Sequence, residues 1–336
     1  MKKILVTGGA GFIGSNYVNY QVEKGEHHII NLDKLTYAGN LENIKNPEAD
    51  NYTFIQGDIC DLKLIQELLA EYQFDEVIHF AAESHVDNSI SDPSAFIETN
   101  INGTFNLLQT AYKLWMNEPF SIKEEFKSAR FLHVSTDEVY GTLGDEGLFT
   151  EETPYAPNSP YSASKASSDL LVRSYFHTYG MPVVTTNCSN NYGPHQHDEK
   201  LIPTIIRKAI HEENIPIYGE GTNIRDWLYV LDHCKGIELA VAKGNLGETY
   251  NIGGRNERKN LYIAEKICSI LDEEKPRANQ KSYSELITFV KDRPGHDFRY
   301  AIDATKIEDS LGWKAEETFE TGIKKTIKWY LEKYSK

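Results

Sequence analysis

Short apolar runs alternate with longer amphipathic stretches along the first half of the chain. The runs are rich in β-branched residues, as buried strands are. They predict strands at residues 3–7, 28–32, 52–56, 76–80, 130–134 and 183–187. Because strands that alternate with helices form a parallel sheet with helices on both faces, the pattern predicts an α/β fold built on a doubly wound parallel sheet.

Three stretches between these runs have the spacing of helices. Residues 11–24 follow the first strand and end at Gly25, a common stop signal. Residues 93–115 and 160–179 are the longest candidates, and each opens with a proline, which suits the first turn of a helix.

After about Asn190 the alternation loosens, and short strands mix with helices. Strands are predicted at residues 215–218, 226–230 and 249–252, and helices at residues 201–211, 232–243, 261–271 and 318–334. A chain of 336 residues is long enough for two lobes with a core each. We expect a larger domain of residues 1–190, to which residues 226–256 return. The remaining residues, 191–225 and 257–336, are expected to form a smaller C-terminal lobe that binds the substrate.

Composition and charge narrow the class of protein. The formal net charge of -15 repels nucleic acid and anionic membranes, which argues against both as partners. The apolar runs are too short for a membrane span. The apolar stretch between Lys3 and Gly8 is too short for the core of a signal peptide. Cys60, Cys188, Cys234 and Cys268 lack metal-ligand or disulfide spacing. We therefore expect a soluble cytoplasmic protein with no metal, in which locally placed arginines bind any anionic ligand.

A glycine-rich segment joins the first strand to the first helix. Gly8, Gly11 and Gly14 stand where a side chain would block a tight turn, the approach of backbone to a pyrophosphate, and helix–strand packing. The N-terminus of the helix adds N–H groups and a positive dipole end. An ordinary glycine-rich turn is the alternative, but the position between strand and helix favours a dinucleotide site in a Rossmann-like domain.

Asp33 identifies the dinucleotide. It ends the second strand, nineteen residues after Gly14, where its carboxylate can accept from both hydroxyls of the adenosine ribose and would repel a 2′-phosphate. NAD is therefore predicted as the cofactor, in preference to NADP. Asp58, after the third strand, is a candidate partner for the adenine amino group, although such a residue is more often a helix N-cap, a role that Asp61 can also fill.

Tyr161 and Lys165 are the first candidates for chemistry. Four residues apart on a predicted helix, they share one face. A phenol with a pKa of about 10 is a poor base, so we expect the lysine cation and a positive nicotinamide ring to lower the pKa of Tyr161. Tyrosinate could then take a hydroxyl proton from a sugar while hydride leaves the same carbon. The alternative is a surface tyrosine and lysine on an amphipathic helix.

Ser135, Thr136, Asp137 and Glu138 follow a predicted strand, at the edge where open α/β sheets bind ligands. The hydroxyls could orient a substrate. Two adjacent carboxylates, one protonated and one ionised, would supply an acid and a base together. A solvated turn is the alternative.

Together these motifs resemble the extended short-chain dehydrogenases and, among them, the family of dTDP-glucose 4,6-dehydratases. The resemblance covers nearly the whole chain. The glycine motif and Tyr161–Lys165 mark only the superfamily, whereas Thr136-Asp137-Glu138 resembles the hexose 4,6-dehydratases specifically. The resemblance to the family also rests on residues 81–87, 135–141, 161–169, 200–203, 225–230 and 292–297.

The resemblance implies an NAD-dependent lyase of nucleotide-sugar metabolism, of the dTDP-rhamnose type. Tyr161 would be the base for oxidation at C4 with Lys165 as its partner, and Thr136 would bind the C4 oxygen. Asp137 would be the acid for the C6 hydroxyl and Glu138 the base at C5. The product from dTDP-glucose would be dTDP-4-keto-6-deoxyglucose.

The resemblance also implies the residues that line the site. For NAD these are Gly8, Gly11, Phe12, Ile13, Gly14, Asp33, Lys34, Leu35, Thr36, Asp58, Ile59, Ala81, Ala82, Thr99, Tyr161, Lys165 and Asn191. For the nucleotide sugar they are Ser84, Thr136, Asn190, Lys200, Leu201, Pro216, Ile217, Tyr218, Arg225, Asn260, Arg293 and His296. Arg225 and Arg293 would be the cations that a diphosphate needs in an acidic protein.

The resemblance also implies a quaternary structure. It implies a homodimer in which the helices at residues 93–115 and 160–179 form a four-helix bundle with a second copy. Asp198 and Arg255 depart from the family pattern without touching the proposed chemistry.

Two alternative functions stay open. One is a 4-epimerase or decarboxylase acting on a UDP-sugar, which would not use Asp137 and Glu138. The other is an NAD-binding scaffold without activity. The residues leave the choice between thymine and uracil open.

Overall fold

The computed structural model describes residues 1–292 and 296–335. Within them the strands are β1 (Lys3–Thr7), β2 (His28–Asp33), β3 (Tyr52–Gln56), β4 (Glu76–His79), β5 (Met116–Glu118), β6 (Ser121–Ile122), β7 (Arg130–Thr136), β8 (Val183–Cys188), β9 (Asn190–Tyr192), β10 (Ile215–Tyr218), β11 (Ile224–Tyr229), β12 (Thr249–Ile252), β13 (Glu257–Lys259) and β14 (Ile287–Val290). The α-helices are α1 (Phe12–Lys24), α2 (Leu62–Tyr72), α3 (Val86–Ser91), α4 (Ser94–Phe96), α5 (Thr104–Trp115), α6 (Pro160–Tyr179), α7 (Leu201–Ile210), α8 (Val230–Lys243), α9 (Asn260–Glu274), α10 (Thr305–Leu311) and α11 (Phe319–Lys333).

A seven-stranded sheet in the order β12-β8-β7-β4-β1-β2-β3 forms the centre of the molecule. All neighbouring strands in it are parallel; Leu5, for example, is level with Ile30 of β2 and with Val77 of β4. The strand order reverses between β1 and β4, so the connections leave in opposite directions there and open a crevice at the carboxyl edge. The predicted doubly wound, Rossmann-like sheet is confirmed.

Two hydrophobic cores cover the two faces of this sheet, and β1 contributes to both. Ile4 and Val6 pack with α1 and α8 on one face, while Leu5 packs with α2, α5 and α6 on the other. A strand buried on both faces needs apolar residues at every position, which is why β1 is a continuous apolar run.

The helix predicted at residues 93–115 is present but not uniform. Pro93 precedes α4, a π-helical segment Ile97–Gly103 follows, and α5 completes the helix. Residue spacing carries no signal for such a segment, so the pattern predicted a regular helix. The helix predicted at residues 160–179 is confirmed as α6, whose N-terminus has a capping box formed by Ser159 and Ser162.

The C-terminal residues form a second group of elements. Strands β9, β11 and β13 make one small sheet, and β10 pairs with β14. Helices α7, α9 and α11 enclose a third core that includes Ile205, Ile267 and Phe319. Of residues 226–256, α8 packs on the large sheet and β12 joins its edge beside β8, whereas β11 belongs to the small sheet. The domain boundaries stay a prediction.

Several short elements were not predicted: α3, α10, β5, β6, β9, β13 and β14. Most of these strands span two or three residues with polar side chains, such as Asn190–Tyr192 and Glu257–Lys259, and therefore lack an apolar period. In the described part of the chain, no helix combines the length and the apolar character that crossing a membrane requires.

Candidate active site

A cavity of about 320 Å³ lies at the carboxyl edge of the large sheet, where the strand order reverses. Of the residues predicted to bind NAD, all except Leu35 line it. The five predicted catalytic residues line the same cavity, as do Ser84, Asn190 and Lys200 from the predicted substrate set. The fold therefore brings together residues from the ends of β1, β2, β4, β7 and β8.

The glycine motif has no room for side chains. Gly8 has a φ of +74°, and a Cβ there would lie 2.6 Å from the backbone nitrogen of Ala81. A Cβ at Gly14 would lie 2.2 Å from the carbonyl oxygen of Gly8. Helix α1 begins after Gly11, which provides no capping side chain. The N–H groups of its first turn therefore face the cavity edge in the way that an anion requires.

Asp33 is fixed by the backbone around it. Its two carboxylate oxygens accept hydrogen bonds from the N–H groups of Ala10 (2.9 Å) and Leu35 (2.8 Å). Leu35 adopts a left-handed φ of 57°, which turns the chain away after β2. Asp33 thus links the glycine-rich segment to the end of β2 and lines the cavity where the adenosine ribose is predicted.

Asp58 is not a helix cap, because Asp61 takes that role at the start of α2. Asp58 instead lies 2.7 Å from the ammonium of Lys34 and accepts from the N–H of Cys60. Burial raises the pKa of Asp58, but the hydrogen bonds from Lys34 and Cys60 outweigh it, so the net direction is downward. Its carboxylate stays ionised and lines the cavity.

Tyr161 and Lys165 are buried, so the alternative of a surface pair is wrong. Both lie in the first part of α6, which packs on β7 and β8. The ammonium of Lys165 donates to the carbonyl oxygen of Val134 at 2.9 Å. Tyr161 lines the cavity with its phenol near Thr136, whose side chain forms a hydrogen bond with it.

In the protein without cofactor, burial raises the pKa of Tyr161 well above its usual value, and the charge of Glu138 raises it further; the hydrogen bond with Thr136 opposes both. The expected lowering depends on a positive nicotinamide ring as well as on Lys165, and it stays a prediction. Burial also lowers the pKa of Lys165, while Asp169 raises it.

Asp137 and Glu138 are not in a solvated turn. They begin a 3₁₀ turn, Asp137–Tyr140, directly after β7, and Asp137 is only 2% exposed. Burial raises the pKa of Asp137 well above its usual value, and the charges of Glu138 and Asp226 add to this, against an opposing contribution from Arg225. These effects favour the protonated form of Asp137, the form that can act as an acid. Its Oδ2 has no hydrogen-bond partner among the described residues and is available to a substrate hydroxyl.

The remaining predicted substrate residues lie outside the lining of this cavity: Leu201, Pro216, Ile217, Tyr218, Arg225, Asn260 and His296. Arg225 is buried, donates to the carbonyl oxygens of Asp297 and Phe298, and lies over the ring of Tyr300 at 4.3 Å. Arg293 lies outside the described residues. The substrate roles of these residues stay predictions.

Sequence reasoning missed a set of polar residues in and behind this cavity. Glu83, Cys188, Ser189, Gln196, His197 and Glu199 line it. Behind Lys165 lie His133 and Asp169, both buried. A signal existed for these two: His133 is two residues before Ser135 on the same strand, and Asp169 is one helical turn after Lys165.

Comparison with known proteins gives a consistent result. A family model described as GDP-mannose 4,6 dehydratase matches residues 5–326. A dTDP-glucose 4,6-dehydratase of Xanthomonas campestris pv. campestris (strain B100) is 56% identical over 328 residues, which cover 97% of this chain and 92% of that protein. A solved dTDP-glucose 4,6-dehydratase from Streptomyces venezuelae, with NAD bound, has a TM-score of 0.88 and 43% identity, covering 99% of this chain and 98% of that one.

The same fold occurs with another activity. A UDP-glucose 4-epimerase from Thermotoga maritima has a TM-score of 0.86 over 99% of both chains, but only 26% identity. Similarity of fold therefore does not separate the two activities, whereas the higher sequence identity is to the dehydratases.

Proposed function

The chain belongs to the nucleotide-sugar 4,6-dehydratases of the extended short-chain dehydrogenase type, and we propose that it converts dTDP-glucose to dTDP-4-keto-6-deoxyglucose. The observation that carries the proposal is the pair Asp137 and Glu138, placed at the end of β7 in the cavity that also contains Tyr161 and Lys165. An epimerase needs only the tyrosine and lysine. A scaffold without activity needs none of the four, and burying Asp137 with no partner for its Oδ2 among the described residues costs stability that a scaffold has no reason to lose.

The cavity fits NAD. Glycines stand where any Cβ would collide with backbone, α1 presents its N-terminus, and Asp33 carries a negative charge where a 2′-phosphate would otherwise lie. When bound, NAD supplies a reversible hydride acceptor. Gly8, Gly11 and Gly14 would hold its pyrophosphate, and Asp33 its adenosine ribose.

Oxidation at C4 is assigned to Tyr161. Its phenolate takes the proton of the C4 hydroxyl while hydride leaves the same carbon, and Thr136, which is hydrogen-bonded to Tyr161, orients the C4 oxygen. Because burial and Glu138 keep the phenol protonated in the protein alone, it needs nearby positive charge before it can act as a base. Lys165 and an oxidised nicotinamide ring are the groups that can provide that charge.

Elimination is assigned to the two carboxyl groups. The C4 ketone acidifies the C5 hydrogen, which Glu138 removes as a proton. The electron pair forms the C5–C6 double bond as the C6 hydroxyl leaves with the proton of Asp137, so that one water is lost. Hydride then returns to C6 and a proton returns to C5. The cofactor ends oxidised, and the reaction is that of a lyase.

An isotope experiment tests the proposal. With dTDP-glucose carrying deuterium at C4, the product should carry that deuterium at C6 of the same molecule, and solvent deuterium should enter at C5. Recovery of the label at C4 of an epimer would instead support a 4-epimerase. Parallel reactions with UDP-glucose would measure the preference for thymine over uracil. Because the two nucleobases differ by a single methyl group, this preference is limited to about 10–200-fold.

We also propose a homodimer. Helices α5 and α6 lie side by side, and large apolar side chains on this part of the surface are exposed: Ile97 (48%), Phe105 (43%) and Leu170 (58%). Covering them with the same helices of a second copy would form a four-helix bundle. Sedimentation at micromolar concentration should show a dimer, and the double variant Phe105→Glu, Leu170→Glu should sediment as a monomer.

A cytoplasmic location is proposed from the thiols. Cys60, Cys188, Cys234 and Cys268 are all free, three of them buried in the described structure. Four unpaired cysteines are typical of a reducing compartment.

A further inference from the structure

Behind the reacting centre lies a buried polar cluster, of which the proposed mechanism uses only Lys165. Lys165 donates to the carbonyl oxygen of Val134, and its Nζ lies 3.5 Å from Nε2 of His133. The same nitrogen, Nε2 of His133, also lies 3.0 Å from Oδ1 of Asp169. The cluster is sealed from solvent, because Lys165, His133 and Asp169 are each less than 5% exposed.

Asp169 is held from two further directions. Its Oδ2 accepts from the hydroxyl of Ser135 at 2.7 Å and from the phenol of Tyr155 at 3.0 Å. These two hydrogen bonds to one oxygen fix the orientation of the carboxyl group. It lies one turn along α6 from Lys165, and its charge raises the pKa of that lysine.

The other titratable groups around Lys165 are neutral. Burial lowers the pKa of His133 to about 4 and that of His79 well below its usual value. Burial raises the pKa of the Cys188 thiol and of the Tyr161 phenol. Among the described groups around Lys165, the charge of Asp169 does most to raise the pKa of the lysine against the effect of burial.

We propose that Asp169 is a positioning residue for the reaction, which keeps Lys165 a cation inside the protein, with Nε2 of neutral His133 in contact with both. A buried ammonium without a counter-charge would release its proton. A neutral Lys165 could not offset the effects of burial and of Glu138 on Tyr161, and the first hydride transfer would slow. Asp169 acts through Lys165 and touches neither substrate nor cofactor.

A purely structural role for Asp169, as a link between α6 and β7, makes a different prediction. Loss of such a link would reduce activity by the same factor at every pH. Loss of a counter-charge would reduce activity mainly at alkaline pH, where the unsupported ammonium of Lys165 becomes neutral.

The test measures the rate of the first hydride transfer to bound NAD, by absorbance after mixing with dTDP-glucose, from about pH 6 to about pH 10. Asp169→Asn and Asp169→Ser both remove the charge, and Asp169→Glu retains it. Tyr155→Phe is the matched control, because it removes one hydrogen bond from the same carboxylate and leaves the charge. Thermal unfolding and NAD binding identify the variants that fold.

We expect the alkaline limb of the rate profile to move to lower pH by about 1–3 pH units in either charge-free variant. Asp169→Glu and Tyr155→Phe should keep the limb of the unmodified protein. A profile that falls by one constant factor at every pH in a folded charge-free variant would overturn the inference.

The inference rests on the proposed function, and the two fail differently. If the unmodified protein forms no reduced nicotinamide with dTDP-glucose, the proposed function is wrong. If it does so and the profiles of the charge-free variants stay parallel to its own, only the role of Asp169 is wrong.

Discussion

The two halves of the site are built on different principles. The cofactor half consists of strand ends and backbone: the glycine turn after β1, Asp33 after β2 and Ala81 after β4. The catalytic half depends on a few side chains, such as Asp137 and Tyr161, whose ionisation is set by burial and by neighbouring charges. Substitutions should therefore impair cofactor binding in the first half and chemistry in the second.

The largest expected effect is in the catalytic half. Asp137→Asn removes the acid for the C6 hydroxyl and Glu138→Gln removes the base at C5, and either loss should reduce the overall rate by about 10²–10⁴-fold. Both variants should bind NAD normally and accumulate bound NADH after oxidation at C4. Rapid mixing with absorbance detection measures this. Failure of NADH to accumulate would mean that the carboxyl groups act before or during oxidation.

The matching change in the cofactor half is Gly14→Ala. Its Cβ would lie 2.2 Å from the carbonyl oxygen of Gly8, so the turn must shift away from the pyrophosphate. We expect NAD affinity to fall by about 10–100-fold, since phosphate hydrogen bonds are charge-assisted. Titration calorimetry on protein freed of cofactor measures it. Gly144→Ala is the control, because a Cβ there meets nothing within 4 Å.

Substitution of Arg225 tests whether the catalytic half of the site extends to this residue. Arg225→Ala should raise KM by about tenfold or more and change kcat less, because charge-assisted bonds to a diphosphate exist in the ground state as well as in the transition state. Arg255→Ala is the control: Arg255 pairs with Glu308 at the surface, and its loss should leave KM unchanged. An unchanged KM in Arg225→Ala would place the diphosphate elsewhere and restrict this arginine to holding Asp297 and Phe298.

Asp33→Ala should change cofactor choice by a smaller amount. The carboxylate holds the Ala10 and Leu35 backbone and repels a 2′-phosphate, so its loss should weaken NAD binding about tenfold and reduce the rejection of NADP. Binding of both cofactors to the variant and to the unmodified protein measures the ratio. Equal binding of NAD and NADP by the unmodified protein would contradict the role given to Asp33.

The smallest expected effect concerns stability. The pKa of Asp137 is raised in the folded protein, so the folded state holds a proton that the unfolded chain releases. The stabilisation associated with that proton is complete below the unfolded pKa of about 4 and declines as pH rises toward the folded value. Asp137→Asn should therefore increase the free energy of unfolding more at pH 8 than at pH 5, as urea denaturation can show. An equal effect at both pH values would mean that Asp137 is ionised in the native protein.

The cofactor half could be predicted from sequence because its signals are local. The glycines, Asp33 and the strand pattern lie within one βαβ unit, and their chemistry follows from backbone geometry. The substrate side could not be placed in this way. Arg225 meets carbonyl groups from residues 297 and 298, and β11 pairs with β9 and β13, so its surroundings depend on contacts between distant segments.

The acid–base properties show the same division. One protonated and one ionised carboxyl group were expected at Asp137 and Glu138, and this stays a prediction; burial of Asp137 raises its pKa, which favours the protonated form. The upward effect of burial on the pKa of Tyr161 was not predicted, because the loss of water around a side chain does not follow from its neighbours in sequence. Asp169 was overlooked as part of the site although it is one helical turn after Lys165, and only the packing of α6 on β7 brings it to His133.

The pairing of β12 with β8 affects how the protein folds during its synthesis on the ribosome. A ribosome extends the chain by about 5–20 residues per second, and domains begin to fold from the N-terminus. Strand β8, which ends at Cys188 beside the reacting centre, is complete several seconds before Thr249–Ile252 has emerged to cover its edge. An exposed edge strand pairs readily with other chains, so this interval is when nascent copies are most vulnerable to aggregation, and the wall of the active site is the last part of the sheet to close.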